Sequence, residues 1–214
     1  QIYGDFSGYS DIAIGTAKLF GFKLMKNFNF PYFSRDIAEF WRRWHISLSS
    51  WFRDYLYIPM GGNRGSQKKV IRNVMITFII SGFWHGANWT FIAWGTINGL
   101  YFIPLLLAKK HKEHIRIVAE SRWFPSAKEV LQITTTFGLT TLTWVIFRSP
   151  TIADAWGYIS SIFSKTLLTL PEIRPTNIIL LIIGFVIVEW IQRKKDHLLQ
   201  FTKINKTGRW AMYY

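Results

Sequence analysis

Long apolar runs alternate with basic connectors along this chain, and the length of each run assigns it a place. Residues 87–107 and 130–147 carry no charged side chain, and 177–188 stay apolar until Glu189. About 20 apolar residues are needed to cross a hydrocarbon core of roughly 30 Å. The first two stretches therefore read as candidate spans, and 178–190 as the last clear hydrophobic run. Residues 73–84 form a shorter run, too short to cross, which breaks at His85 and Gly86 just before the next begins. The pattern predicts a hairpin of 73–84 and 87–107 whose tip holds His85 within the bilayer.

Weaker patterns fill in the remainder. Residues 2–20 read as a membrane helix in which Gly4, Gly8, Ala13, Gly15 and Ala17 would let a neighbouring helix approach closely. Asp5 and Asp11 interrupt it and are expected to face protein or a water-filled cavity, the simpler alternative being that Asp5 bonds Ser or Tyr groups nearby. Asp36 and Glu39 have the spacing of a capping box. Beyond it, at about 100° per residue, Ile37, Phe40, Trp41, Trp44, Leu48, Trp51, Phe52 and Tyr55 share one stripe, with Arg42, Ser49 and Arg53 opposite and His45 at the edge. One continuous helix is expected, its arginines left in water, headgroups or an ion pair with Asp54, too polar on one face for a lipid-surrounded span and hence interfacial or re-entrant. Pro59 ends it, and residues 60–65 read as a turn. Residues 153–170 read as amphipathic. Six of the seven prolines, all but Pro104, fall between these elements.

Composition narrows the class. Half of the 214 residues are hydrophobic, with 11 Trp and 18 Phe, yet the formal net charge is +14. The positive residues concentrate in the connectors 61–72, 109–128 and 193–209, which the positive-inside rule places in the cytoplasm. No module that reads nucleic acid is visible, so that partner is excluded. Cysteine is absent, which removes thiolate metal sites and cysteine nucleophiles. His111 and His114 stand at i, i+3 without a third ligand nearby and read as solvated side chains, so no metal site is expected. The fold class is an all-α, multi-span helical bundle with re-entrant or interfacial helices. It forms a single membrane domain over 1–214, with both central histidines in 1–107 and the C-terminal helices and basic loops in 108–214. The opening Gln1-Ile-Tyr falls within a helix and follows neither an initiator Met nor a signal peptide, which points to a fragment whose upstream spans are missing.

Candidate chemistry gathers at the two histidines. An ionisable side chain at membrane depth is costly and is a functional-site hypothesis by default. For His85 the alternative is a packing histidine bonded to a backbone carbonyl. Neutral imidazole, with an unperturbed pKa of about 6.5, suits a general base near neutral pH. His45 is the second candidate, at the edge of the aromatic stripe, where its ring could face a cavity bordered by aromatic groups. Trp44, Trp84, Gly86 and Asn88 flank them as lining residues. Arg43, Arg53 and Asp54 are weaker candidates, as are Asp5 and Asp11 for lining a path.

The run from Glu39-Phe-Trp-Arg-Arg-Trp-His45 to Tyr57-Ile-Pro59, then Gly61-Gly-Asn-Arg64 and Trp84-His85-Gly86-Ala87, strongly resembles the membrane-bound O-acyltransferase family, and within it the alginate O-acetyltransferase branch. The opening from Asp5-Phe-Ser-Gly to Gly15 and the segment Trp144-Val-Ile-Phe-Arg148 resemble that branch too. The likeness is specific to about Leu107 and thin after Pro150. It implies that His85 matches the family's catalytic histidine and His45 its second polar position, within a multi-helix core whose tunnel lets an acyl donor and a hydroxyl acceptor meet across the bilayer. On that resemblance His45 would donate to a developing oxyanion or orient the acyl donor, and Arg43, Arg53 and Asp54 would shape the donor entrance. It also implies acetyl or short-acyl transfer to an exported polysaccharide at a bacterial inner membrane. The donor would be a cytoplasmic thioester, acetyl-CoA or an acyl carrier, used as co-substrate with no tightly bound cofactor. A separate extracytoplasmic acyltransferase is the expected protein partner, beside membrane lipid. Alternatives are D-alanyl transfer to teichoic acid on the same fold, a transporter or flippase, or a membrane scaffold.

Overall fold

The computed structural model describes residues 2–164, 175–195 and 205–213, all helical or irregular. Residues 1–170 and 171–214 form two units. In the first unit, α1 (Ile2–Leu19) leads into an extended stretch and a 3-10 turn (Pro31–Phe33), followed by two short helices, α2 (Ile37–Arg43) and α3 (Ile46–Phe52), and a π-helical turn (Arg53–Tyr57). Then come α4 (Gln67–His85), α5 (Trp89–Leu107), α6 (Ala127–Arg148) and α7 (Ile152–Ile162). In the second unit are α8 (Thr176–Gln192), which contains the 178–190 run, and α9 (Lys206–Tyr213). The basic stretch 193–209 lies partly outside the described residues.

The expected hairpin forms, with one change at its start. Helix α4 begins at Gln67, inside the basic flank, so its 19 residues match the 19 of α5. At 1.5 Å per residue each arm is about 28 Å long. From Arg72, the last basic side chain of the arm, to His85 is 13 residues, or about 20 Å. The arms touch at two glycines: a Cβ on Gly82 would lie 2.3 Å from the Phe91 carbonyl oxygen, and one on Gly95 2.3 Å from that of Phe78. Only hydrogen at both positions permits this approach. Helices α5 and α6, with 19 and 22 residues, are each long and apolar enough to span a membrane. In α6, Thr140 and Thr141 donate back to the carbonyls of Thr136 and Phe137, and Thr143 to that of Thr140, satisfying hydroxyls where water is scarce.

The continuous helix expected beyond Asp36 does not form. Asp36 does cap α2, its carboxylate accepting from Glu39 N at 2.7 Å, but the Glu39 carboxylate reaches past the cap to Arg35 N at 2.8 Å. The chain then breaks at Trp44 and His45, the latter in left-handed geometry with φ 45° and ψ 56°. Neighbouring backbone explains the break. Arg43 O accepts from Asn29 N at 3.0 Å, and Ile46 N donates to Asn27 O at 3.0 Å, so residues 27–29 run alongside the gap and take up the groups a helix would have paired.

A second correction concerns the arginines. Arg43 is buried, not in water or headgroups: with Arg35 it grips the Glu39 carboxylate, which is only 1% exposed, at 2.8 and 3.0 Å. Arg35 also pairs with Glu129 at the start of α6, at 3.6 Å. A third concerns the connector 109–128. His111 and His114 are half-buried rather than solvated, because Arg42 donates to both of their carbonyl oxygens at 2.7 and 2.9 Å. His114 Nε2 also lies 3.8 Å from Asp36.

Candidate active site

His85 ends α4, and Gly86 turns the chain into α5 at a spot where a Cβ would strike the Phe91 ring at 2.8 Å. The imidazole is half-buried among rings. Trp94 and Phe147 present edges at 5.3 and 5.0 Å between centroids, Trp84 stands at 5.0 Å, and Phe91 at 6.2 Å. Phe147, from α6, also packs on Phe91 and Trp94, so three helices fix this ring.

His45 reaches the same interior from the break between α2 and α3. Its ring meets Phe6 of α1 edge-on at 4.6 Å. Burial, and then the proximity of His85, hold its pKa down at about 4, so His45 is neutral near pH 7. Holding a non-glycine residue in the left-handed region costs on the order of 1–3 kcal/mol, and such strain clusters at functional sites. Trp44 is buried in a core with Tyr3, Phe28 and Phe40. It leads by ring contacts to Trp144 at 5.0 Å, thence to Trp94 at 6.1 Å and so to His85. In that wall the indole N–H groups of Trp41, Trp94 and Trp144 are buried with no hydrogen-bond partner among the described residues, although buried indoles usually find one.

The other candidates divide. Trp84 is exposed beside His85, and Asn88 has work of its own, capping α5 through Thr90 N and donating to Pro150 O at 3.0 Å. Arg53 and Asp54 form an exposed two-bond pair at 2.7 and 3.1 Å, which holds the Asp54 carboxyl below its usual range. Asp5 and Asp11 are exposed on α1. Arg43 serves the Glu39 pair. Sequence reasoning overlooked Phe147 as a wall of the site, and Asn27 and Ser47 beside His45. Asn27 sits in an irregular connector, where spacing carries no signal.

A cavity of about 220 Å³ opens beside the other end of the hairpin, lined by Arg53, Tyr57, Asn63, Thr77, Phe78 and His111 among others. From Phe78 to His85 is seven residues of helix, about 10 Å. Phe78 touches Trp41, and Trp41 touches Trp94, each at 5.6 Å, so those two indoles stand between the cavity and the histidine.

Residues 1–141 match the model of the MBOAT, membrane-bound O-acyltransferase family. The chain belongs to the membrane-bound O-acyltransferase family. It is 42% identical over 191 residues to a protein named probable alginate O-acetylase AlgI from Pseudomonas aeruginosa, covering 89% of this chain and 35% of that protein. It is 44% identical over 155 residues to the peptidoglycan O-acetyltransferase of Helicobacter pylori, covering 72% and 28%. Against the teichoic acid D-alanyltransferase of Streptococcus thermophilus it is 34% identical over 172 residues, covering 73% and 40%. The chain thus spans about a third of the length of the curated relatives it matches. Family and apolar helices together make this membrane-spanning MBOAT chain a piece of all-α membrane architecture.

Proposed function

We propose that the protein to which this chain belongs transfers an acetyl or similar short acyl group from a thioester to hydroxyls of an exported polysaccharide. The observation that carries this reading is His85, held by rings from three helices at the end of an arm about 20 Å past its last basic side chain. The acceptor oxygen attacks the acyl carbon as His85 takes the hydroxyl proton, the C–S bond breaks, and the protonated His85 gives that proton to the sulfur, which leaves as a thiol. Proton transfer of this kind is worth roughly 10²- to 10⁴-fold in rate. His45 is the second polar group on the path. The thioester, from coenzyme A or a carrier, would approach through the cavity beside Arg53. Basic loops flank that end of the hairpin, and the positive-inside rule would put them in the cytoplasm of a bacterial cell, at its inner membrane. An extracytoplasmic acyltransferase would then complete delivery to the glycan.

Acetyl transfer is favoured over D-alanyl transfer because identity to the O-acetyltransferases named above is 42–44%, against 34% for the D-alanyltransferase. The test is mass spectrometry of cell-surface glycans from cells carrying the full-length protein, its His85→Ala variant, or neither. Acetyl groups that vanish in the last two, with the variant properly inserted, support the reading. D-alanyl groups instead, or full acetylation by His85→Ala, overturn it.

A further inference from the structure

Beside His45 the hydrogen bonds leave one arrangement of protons. Ser47 N is an obligate donor and lies 3.1 Å from Asn27 Oδ1, which fixes that side-chain atom as oxygen and removes the usual amide ambiguity. The Ser47 hydroxyl lies 2.6 Å from the same oxygen. An amide oxygen only accepts, so the single hydroxyl proton of Ser47 points at Asn27. Ser47 Oγ is left with lone pairs, and the next polar atom it faces is Nδ1 of His45, at 3.5 Å. A bare Nδ1 would set lone pair against lone pair. A protonated Nδ1 donates to Ser47 Oγ.

We infer that Asn27 and Ser47 are positioning residues that hold neutral His45 as its Nδ1–H tautomer, so that Nε2 presents a lone pair to the reaction path. This rests on the acyl-transfer reading for its purpose, but not for its geometry. It also narrows that reading. The only N–H of neutral His45 is engaged with Ser47, so His45 accepts a hydrogen bond from a reacting group rather than donating one to an oxyanion. The local fold is built for this. Asn27 O also takes Ile46 N, and the left-handed turn at His45 sets its ring over Ser47, two residues on. The Asn27 amide is anchored on its other side, donating to Ser10 of α1 at 3.5 Å.

The test reads protons directly. Full-length protein with ¹⁵N-labelled histidine is placed in lipid, and the His45 ring signals are assigned by their loss in His45→Gln. The expected spectrum at neutral pH shows Nδ1 protonated and Nε2 unprotonated. Ser47→Thr keeps a hydroxyl and retains that pattern, whereas Ser47→Ala lets the tautomers mix and lowers kcat at least about tenfold with little change in KM; in a serine protease a wrong histidine tautomer costs about 10⁴-fold. A wild-type His45 protonated at Nε2 overturns the assignment, as does an unchanged spectrum in a folded Ser47→Ala variant. Should the variant fail to fold, the wild-type spectrum alone decides. Should no acyl transfer be found while the wild-type spectrum is as expected, the proposed function fails and the tautomer stands.

Discussion

Alanine at position 82 would add one methyl group where α4 and α5 have no room for it. The new Cβ would lie 2.3 Å from the Phe91 carbonyl oxygen and 3.0 Å from its carbon. A comfortable carbon-to-oxygen contact is about 3.3–3.6 Å, so the arms must part by about 1 Å. The obstacle is backbone within a helix, which cannot swing aside as a side chain would. Overpacking of this kind costs about 1–3 kcal/mol. His85 lies three residues further along, and Phe91 is among the rings around it. A displacement of about 1 Å at a reacting group costs on the order of 10²-fold in rate. Gly82→Ala in the full-length protein should therefore insert normally yet lose about 10²-fold in glycan acylation, measured as acyl groups per sugar by mass spectrometry. Gly95→Ala, with its Cβ 2.3 Å from Phe78 O, should behave alike, while Gly157→Ala in α7, with nothing within 4 Å, should match wild type. Full activity in well-inserted Gly82→Ala would refute the claim that arm spacing positions His85.

Three further expectations follow from the packing around α2 and the break. Glu39→Ala strands the buried guanidinium of Arg43 and should destabilise the fold by about 3–5 kcal/mol, read from thermal unfolding in detergent; a change below about 1 kcal/mol would show that the pair contributes little. Arg42→Ala releases the carbonyls of His111 and His114 and should raise protease cleavage within residues 109–116 several-fold without abolishing activity, whereas unchanged cleavage would mean another contact holds the connector. His45, with its pKa depressed to about 4, should show no protonation in NMR spectra recorded down to about pH 5. The sign follows from linkage. The folded state disfavours His45 protonation, so its full stability is present above about pH 6.5 and is lost progressively as pH falls toward 4. A His45 midpoint near 6.5 would contradict the burial of its ring.

The hairpin was legible in the sequence because two uncharged runs flank a Gly, and nothing else satisfies such runs as well as a pair of helices. The start of α4 was less so: periodicity stops at Asn73, but hydrogen bonding continues through Lys68 and Lys69, whose charged ends reach polar surroundings from long stems. The break at His45 left no mark. Its flanks keep helical periodicity, no Gly or Pro announces it, and the left-handed turn is stabilised by residues 27–29, some 15 positions away. The same holds for the clasp of Arg42 on the connector, since a backbone carbonyl has no sequence signature. Sequence spacing pointed to both histidines but not to Asn27 or Ser47, because what selects a tautomer is the direction of one hydroxyl proton.

Depth and access at position 85 test the account most directly. The chain contains no cysteine, so His85→Cys in a full-length background free of other cysteines provides a single thiol to probe in intact membranes. His85→Cys should be labelled slowly by a small polar thiol reagent, not at all by a bulky one, and be protected by a thioester analogue; Lys69→Cys, outside the hairpin's apolar part, should react quickly with both. Complete inertness at position 85, as for a side chain pressed against lipid, or rapid reaction with the bulky reagent, as in open water, would contradict the account.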